Sequence, residues 1–455
     1  MDYTYLFKDS NKKPIVGIVG ASKGFGYTIL AQMALIDQIS LRIVSSRNTE
    51  ECLEALKRAG YDKKQINVCN TIEELNAVND KCIIVTTNNE LFIHAGITAL
   101  VECTGNIELS ASIAERALKN GINVYMVSKE TDSVCGAYLN HLAHQNGRVY
   151  ALVNGDQPRN LIDLYSWSKL LGLDIVAIGK ASEYDFVWDI HSEQMTYTDG
   201  NQKFWSLREM KDYWSFQSRD TLEKRRELLK EHLHVISADL CEMSLVSNVT
   251  GFKPASRFLN YPVAKINELA NIFIPREDGG ILDHSGVIDV FYQLREKEEA
   301  SFAGGEFIII RCDARQDWKT LAGKGHVVSK NNKYACIYWP YHFMGLETPL
   351  SILEGDLLGV GVHPETRQVS IMGAVAETDL KAGTSFKVTG HHHQIEGLVP
   401  QLVESAKAER LVPFYLLNSA VLKRHIRRGE EITMDDVIIS QSQAYKMYTK
   451  GLELC

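Results

Sequence analysis

The 455-residue sequence lacks several features that would assign it to a large class of proteins. It has no basic excess, because its net charge is −8 at pH 7, and this argues against a surface for nucleic acid or anionic membrane. It has no C-x-x-C pair among its nine cysteines, which argues against a structural zinc and against a disulfide framework. It has no apolar run near the ~20 residues of a membrane span, and it begins without a signal-peptide pattern. We therefore expect a cytoplasmic protein that binds neither nucleic acid nor membrane.

Short apolar runs alternate with segments of helical periodicity over residues 14–153. The predicted strands lie at 14–19, 41–45, 66–69, 82–86, 99–103, 123–127 and 149–153. Such alternation predicts an α/β fold with an N-terminal doubly wound parallel sheet of the Rossmann type. The later pattern predicts a middle α+β region and a small β-rich unit near the C-terminus. The charged segment 201–233 predicts a solvated amphipathic helix.

A glycine-rich turn follows the first predicted strand and has one more residue than the simplest dinucleotide-binding fingerprint. Glycines let the backbone approach a pyrophosphate, and the free amides at a helix start favour its negative charge. A purely structural turn is the alternative. The residues that we assign to binding of a nicotinamide dinucleotide are Gly17, Gly20, Ser22, Lys23, Gly24, Phe25 and Gly26.

The second predicted strand leads into Ser46 and Arg47 rather than into an acidic residue. An acidic side chain there would hold the ribose 2′-hydroxyl of NAD, whereas an arginine beside hydroxyls suits the 2′-phosphate of NADP. The sequence therefore favours NADP(H), with NAD possible. A solvated surface arginine is the alternative reading of Arg47.

Further polar turns fall at the carboxyl ends of predicted strands, where open α/β sheets bind their ligands. Thr86 ends one strand, and Thr104 and Gly105 follow another, so we expect all three to flank the cofactor. Lys129 follows a third strand and begins a helix. A lysine in that place can polarise a carbonyl or donate a proton during hydride transfer, or it can be an exposed residue of the first helical turn.

Ionisable side chains also recur in the middle of the chain. Glu242 interrupts an otherwise apolar helix, and a buried carboxylate must be paired, coordinated or neutral. Asp156 follows a predicted strand, although it could serve only as a helix N-cap. Lys129, Asp156, Glu242 and His342 are therefore candidate catalytic residues.

The order of these motifs resembles one family. The motifs that carry the resemblance are the glycine turn, Gly155-Asp156-Gln157-Pro158, Gly179-Lys180, and residues 242–251, 277–290, 338–347 and 427–433. They are similar to those of homoserine-dehydrogenase-like oxidoreductases with a C-terminal SAF domain, a family that includes 1-deoxy-D-xylulose 5-phosphate reductoisomerase-like enzymes. The resemblance implies a Rossmann domain over 1–154, a catalytic and dimerisation domain over 155–370, and an SAF-like β-clip domain over 371–455.

The resemblance implies an NADP(H)-dependent isomerisation and reduction of a phosphorylated ketose, a step of isoprenoid precursor synthesis, with Mg²⁺ or Mn²⁺ as Lewis acid. Asp156, Glu242, Asp283 and Glu347 are the candidate metal ligands. Lys129, Lys180 and His342 are candidates for the substrate phosphate. The resemblance also adds Lys180, as a proton donor, and Asp283 to the candidate catalytic residues. Two alternatives stay open: a dehydrogenase of a small aldehyde, hydroxy acid or homoserine without isomerisation, and a non-catalytic NADP-binding regulator. By the same analogy we expect a homodimer.

Overall fold

The computed structural model describes residues 2–8, 12–199, 201–361, 366–390 and 393–454. The chain divides into two compact units. The first unit comprises the residues up to Arg159, Phe343–Gln368, and the residues from Ser440 on; the second comprises Asn160–His342 and Val369–Ile439. The division into three domains by sequence position stays a prediction. Among the described residues, no helix is both long and apolar enough to cross a membrane.

A seven-stranded parallel sheet forms the centre of the first unit. Its strands are β1 (Ile15–Val19), β2 (Ser40–Ser45), β3 (Ile66–Val68), β4 (Ile83–Thr86), β5 (Ala99–Glu102), β6 (Asn123–Met126) and β7 (Tyr150–Leu152). Their spatial order is β3-β4-β2-β1-β5-β6-β7. The chain adds strands on one side of β1 and then resumes on the other, so the topological switch point lies between β1 and β5. The predicted Rossmann-type sheet and α/β class are confirmed.

Seven helices precede, connect or follow these strands. They are α1 (Tyr3–Leu6), α2 (Gly24–Met33), α3 (Thr49–Arg58), α4 (Ile72–Asn76), α5 (Ile107–Lys119), α6 (Lys129–Gln145) and α7 (Gln157–Leu170). The side chains of Asn48, Thr71 and Asn106 cap α3, α4 and α5 by accepting from backbone amides of the first turn. These caps explain why each helix begins where it does.

A mixed sheet forms the centre of the second unit. Its strands are β8 (Asp174–Ala181), β9 (Phe186–Asp189), β10 (Gln194–Asp199), β11 (Asn201–Ser206), β12 (Lys253–Pro254), β13 (Val263–Ala264), β14 (Val287–Arg295), β15 (Glu306–Arg311) and β16 (Tyr334–Trp339). The order is β11-β10-β9-β14-β8-β15-β16, with β12 and β13 also paired to β14. The helices of this part are α8 (Arg219–Leu229), α9 (Ser237–Thr250), α10 (Leu269–Ile272) and α11 (Trp318–Gly323).

The prediction of one solvated helix over 201–233 is wrong in two respects. Residues 201–206 contain a single charged side chain, Lys203, and form β11, which pairs antiparallel with β10. The helix α8 covers only the later part, and its Arg225 is fully buried and forms an ion pair with Glu268 at 2.8 Å. The charge run therefore contributes a buried ion pair as well as a solvated face.

The remaining elements lie towards the C-terminus. They are α12 (Thr348–Leu353), β17 (Ser370–Ala376), β18 (Val388–Thr389), β19 (Gln394–Ile395), β20 (Leu398–Glu404), β21 (Val421–Leu422), β22 (Val437–Ile438) and α13 (Gln443–Leu452). The strands pair antiparallel as β17-β20, β18-β19 and β21-β22. They form the β-rich part that the sequence predicts, whereas α13 belongs to the first unit and contacts α6 through Cys135 and Ala444.

Candidate functional site

The glycine turn joins β1 to α2 at the switch point of the first sheet. Gly20 has φ +88°, and a Cβ on it would lie 2.9 Å from the Cys103 carbonyl oxygen. A Cβ on Gly26 would lie 2.2 Å from the Gly20 carbonyl oxygen, so only glycine lets α2 pack on the turn. Gly24 has φ +51°, and a Cβ on it would meet open space. The turn therefore has the close packing and the open side that a pyrophosphate-binding loop needs.

The other predicted residues of this turn differ in their surroundings. Gly17 lies inside β1, where a Cβ would be 2.8 Å from the Phe92 ring, so this glycine makes room for the ring. The exposed Lys23 forms an ion pair with Glu51 at 3.0 Å. Ser22 and Phe25 are half-buried.

The end of β2 carries the two residues predicted to select NADP. The Ser46 hydroxyl donates to the Asn48 carbonyl oxygen at 2.6 Å and so shapes the turn before α3. Arg47 is exposed, and within the described part of the chain its guanidinium has no hydrogen-bond or ion-pair partner. A 2′-phosphate would supply such a partner.

The turn after β5 is fixed by a buried carboxyl group. One oxygen of Glu102 accepts from the Thr104 amide at 2.9 Å and from the Thr104 hydroxyl at 2.5 Å. The Gly105 amide donates to the Ser128 hydroxyl oxygen at 2.8 Å. Burial raises the pKa of Glu102, although the hydroxyls of Ser128 and Thr104 oppose the rise. The predicted residues Thr104 and Gly105 therefore lie beside β1 in a turn that side-chain hydrogen bonds hold.

Thr86 ends β4, which is two strands away from β1. Its buried hydroxyl donates to the Asn70 side-chain oxygen at 3.2 Å and accepts from the Asn88 amide at 2.9 Å. These contacts tie the turn after β4 to the loop before α4.

Lys129 and Asp156 meet at the carboxyl edge of the first sheet. Lys129 begins α6 after β6, and Asp156 lies just before α7 after β7, which is the neighbouring strand. The Lys129 Nζ donates to Asp156 Oδ1 at 3.1 Å. The Lys129 side chain is 23% exposed and the Asp156 side chain 8% exposed. Two predicted catalytic residues thus come together in the unit that holds the glycine turn.

Glu347 lies beside the turn that carries Asp156. Gly155 has φ +83°, and a Cβ on it would lie 2.5 Å from the Phe343 carbonyl oxygen and 3.3 Å from Glu347 Oε2. The Asn154 amide donates to the Ser351 hydroxyl oxygen at 2.7 Å, which binds the same turn to α12. The close approach explains the glycine of the Gly155-Asp156-Gln157-Pro158 motif.

The second unit contains a buried cluster around Lys180. Lys180 lies in β8, and its Nζ donates to Asp239 Oδ1 at 2.7 Å and to Glu242 Oε2. Both carboxylates belong to α9. The Ser182 hydroxyl and the Tyr261 hydroxyl donate to the other Asp239 oxygen at 2.7 and 3.1 Å. The lysine is 1% exposed and the two carboxylates 0% and 2%. We call Lys180, Asp239 and Glu242 the Lys180 cluster.

The carboxylates keep the Lys180 cluster charged. Burial alone would lower the pKa of Lys180, but the charges of Asp239 and Glu242 raise it well above its usual value. Burial raises the pKa of Asp239, although Lys180 opposes the rise. The ammonium is therefore the firmly charged member of the cluster at neutral pH.

Glu306 lies between His342 and the Lys180 cluster, since it pairs with Lys180 across the strands and is close to the His342 ring. Glu306 is fully buried at the start of β15 and stands opposite Lys180 in the neighbouring strand, so both side chains lie on one face of the sheet. The His342 Nδ1 lies 3.1 Å from the Gly304 carbonyl oxygen and 4.0 Å from a Glu306 carboxylate oxygen. Asp283, by contrast, is 71% exposed and forms an ion pair with Arg276 at 2.7 Å.

Three residues of this region are absent from the candidates named by sequence: Asp239, Tyr261 and Glu306. Asp239 lies three positions before Glu242, and this helical spacing already places the two carboxylates on one face. Glu306 is the first residue of the apolar strand β15. A charged residue at the end of a strand is a weaker indication of a buried site than one inside an apolar helix. The position of Tyr261 depends on the conformation of a loop, and no local pattern indicates it.

The predicted metal ligands are divided between the two units: Asp156 and Glu347 lie in the first, and Glu242 and Asp283 lie in the second. No group of three or more His, Cys, Asp or Glu side chains suited to a metal ion occurs in the described ranges. Asp156 is hydrogen-bonded to Lys129, and Glu242 to Lys180. The assignment of these four residues to Mg²⁺ or Mn²⁺ stays a prediction.

Residues 155–348 match a family model described as oxidoreductase DRL, catalytic domain. The match spans less than half of the chain and includes the whole Lys180 cluster. It supports an oxidoreductase. No curated protein matches the chain.

Several solved structures are similar to this chain. The reductoisomerase of 1-deoxy-D-xylulose 5-phosphate from Zymomonas mobilis, in complex with NADPH, is 14% identical with a TM-score of 0.28, covering 38% of this chain and 46% of that one. The UDP-N-acetylglucosamine 3-dehydrogenase GnnA from Acidithiobacillus ferrooxidans is 11% identical with a TM-score of 0.39, covering 77% and 91%. The myo-inositol 2-dehydrogenase from Lactobacillus plantarum is 11% identical with a TM-score of 0.36, covering 78% and 93%. The chain spans about half the length of the reductoisomerase that it matches.

Proposed function

We propose that the protein is an NADP(H)-dependent oxidoreductase that interconverts a carbonyl and a hydroxyl group on a small substrate. The observation that carries the proposal is the glycine turn at the switch point of the first sheet, with Lys129 and Asp156 at the carboxyl edge of the same sheet. This is the edge at which open α/β sheets bind their ligands. The family match to an oxidoreductase supports the same reaction class.

The residues of the first unit fit a nicotinamide dinucleotide. The amides at the start of α2 would hold its pyrophosphate, because Gly20 and Gly26 permit the close packing and Gly24 leaves open space. The exposed guanidinium of Arg47 would pair with the 2′-phosphate of NADP. When bound, the reduced cofactor supplies the hydride.

Lys129 is the proposed proton donor. Its ammonium is held by Asp156, and its 23% exposure leaves it accessible to a substrate. In reduction, Nζ would give its proton to the oxygen of the carbonyl as that oxygen gains negative charge. In oxidation, the neutral amine would accept the proton of the hydroxyl.

Lys180 is the second candidate proton donor, supported by the match of the family model to its surroundings. Its 1% exposure and its two carboxylate partners argue for a role in holding the site rather than in meeting the substrate. The same carboxylates neutralise the charge with which a lysine would clamp a phosphate. We therefore favour Lys129 as the group that contacts the substrate.

Turnover assays test the proposal. The purified chain should oxidise NADPH with at least one member of a panel of small aldehydes, keto acids and phosphorylated ketoses, and this activity should not need a divalent cation. Absence of turnover in both directions, together with a rise in melting temperature on addition of NADPH, would instead support the cofactor-binding regulator.

A reductoisomerase-like reaction on a phosphorylated ketose is the second candidate, and the sequence motifs shared with that family support it. It would consume NADPH only with a phosphorylated ketose and added Mg²⁺ or Mn²⁺. A homoserine-dehydrogenase-like enzyme would oxidise an alcohol without metal. Metal dependence therefore separates the two reactions in one experiment.

A further inference from the structure

The loop between β12 and β13 contains a strained backbone. Leu259 and Tyr261 have φ values of +55° and +45°, in the left-handed region that residues other than glycine rarely adopt. Such conformations persist where surrounding contacts over-determine them, and they gather at functional sites. The contacts of residues 256–262 therefore indicate which part of the molecule this strained loop holds in place.

One end of the loop is fixed beside the Lys180 cluster. Asn260 donates from its amide and from Nδ2 to the two carboxylate oxygens of Asp289 at 2.7 and 2.6 Å. Asp289 is fully buried in β14, the strand next to β8. The Tyr261 hydroxyl donates to Asp239 Oδ2 at 3.1 Å, while Asp239 Oδ1 accepts from Lys180 at 2.7 Å. The strained turn thus delivers one hydroxyl to the carboxylate that holds the lysine.

The other end of the loop is fixed to β20, the strand that pairs with β17. The Leu402 amide donates to the Arg257 carbonyl oxygen at 2.8 Å. The Arg257 guanidinium donates to the side chains of Gln401 and Glu431. Gln401 is fully buried in β20, so this attachment has little freedom. Arg257 lies only four residues before Tyr261.

We propose that the strand pair β17–β20 positions the Lys180 cluster, and that it does so through Arg257 and Tyr261. Tyr261 is a positioning residue: its hydroxyl orients Asp239, and Asp239 together with Glu242 orients the ammonium of Lys180. This gives the C-terminal β-rich part a role in ordering the second unit's ionisable centre. The consequence for catalysis rests on the proposed function, whereas the consequence for Lys180 itself does not.

The test measures how fast the Lys180 ammonium protons exchange with water, by NMR of the full-length chain with ¹⁵N-labelled lysine. The signal is assigned by its loss in Lys180→Arg. Tyr261→Phe and Arg257→Ala should each speed the exchange at least tenfold, because a loosened carboxylate admits water. Lys253→Ala is the matched control, since Lys253 joins β12 to Glu404 of β20 at 2.7 Å but lies outside the loop. It should leave the exchange rate unchanged.

Equal exchange rates in wild type, Tyr261→Phe and Arg257→Ala would overturn the proposal. So would an equal increase in Arg257→Ala and Lys253→Ala, because that would show general loosening of β20. If Arg257→Ala fails to fold, Tyr261→Phe decides the outcome, since it removes a single oxygen atom. The readout needs no substrate. A chain without any turnover that still shows the expected exchange pattern would refute the proposed function and leave the positioning role standing.

Discussion

Lys129 and Lys180 are two lysines held by carboxylates in opposite surroundings. Lys129 is 23% exposed at the carboxyl edge of the parallel sheet, where Asp156 lies at 3.1 Å. Lys180 is 1% exposed in the mixed sheet, where Asp239 and Glu242 both accept its protons. The first lysine can exchange its proton with a substrate, whereas the second cannot lose its charge without leaving buried carboxylates unbalanced. We therefore propose that the exposed lysine takes part in the reaction and that the buried lysine orders its surroundings.

The largest expected effect concerns the chemistry of Lys129. Lys129→Met should lower NADPH-dependent turnover by about 10²–10⁴-fold, the usual contribution of a positioned acid or base. The free energy of unfolding should fall less in Lys129→Met than in Lys180→Met, because the Lys129 side chain is partly solvated. Steady-state kinetics and urea denaturation measure the two quantities, with the exposed Lys23→Met as control. A loss of turnover smaller than tenfold would contradict the role of Lys129 as proton donor.

The next effect concerns the stability supplied by Lys180. Lys180→Met removes the cation from two buried carboxylates, and it should lower the free energy of unfolding by about 3–5 kcal/mol. Because the folded-state pKa of Lys180 is raised, its contribution is complete below the unfolded value of about 10.4 and is lost only as pH rises through the higher folded value. The loss measured by urea denaturation should therefore not shrink between pH 6 and pH 9. A loss that shrinks between these pH values would contradict the assignment.

A third prediction uses a carboxyl group one helical turn beyond Lys129. Burial raises the pKa of Asp132 to about 6, and the Tyr150 hydroxyl donates to it. The folded state then binds a proton more tightly than the unfolded state, so stability should fall as pH rises from about 4 to about 6. Asp132→Asn should reduce this fall by roughly 3 kcal/mol, measured by denaturation across the range. An unchanged pH profile would show that Asp132 titrates normally.

The smallest effect concerns cofactor choice in the first unit. Arg47→Ala should weaken NADPH binding by about tenfold, which corresponds to about 1.4 kcal/mol, and leave NADH binding unchanged. Isothermal titration with both nucleotides measures the difference. Equal weakening of NADPH and NADH binding would place Arg47 outside the 2′-phosphate site. As a control, Lys180→Met should change the affinity for neither nucleotide.

The parallel sheet could be predicted from sequence because its elements are local. The apolar runs that form β1, β4 and β5 are bounded by turns, and the helix signals between them recur at fixed spacing. The hairpin of β10 and β11 could not be predicted in this way, because a mainly polar sequence there is held by pairing with a neighbouring strand. The local sequence pattern therefore predicts a strand or helix best where the side chains of that strand or helix form the core.

The residues of the candidate site likewise fall into those that the local sequence indicates and those that only tertiary contacts bring together. Glu242 stands out in an apolar helix, and Lys129 and Asp156 stand out at strand ends, so all three could be named in advance. Their partners depend on tertiary contacts: Lys180 meets Asp239 across 59 positions of the chain. Tyr261 reaches the same carboxylate only because a strained loop is held by residues from other strands.

The central claim is that the glycine turn binds a nicotinamide dinucleotide, and Gly24→Asp tests it most directly. A side chain there meets open space, and aspartate tolerates the left-handed backbone of φ +51° better than most residues, so the fold should survive. The added carboxylate would face the pyrophosphate with like charge. Titration calorimetry should show NADPH binding to the wild type and at least a hundredfold weaker binding to Gly24→Asp, with similar melting temperatures in the absence of nucleotide. Equal NADPH affinity in the two proteins would contradict the account.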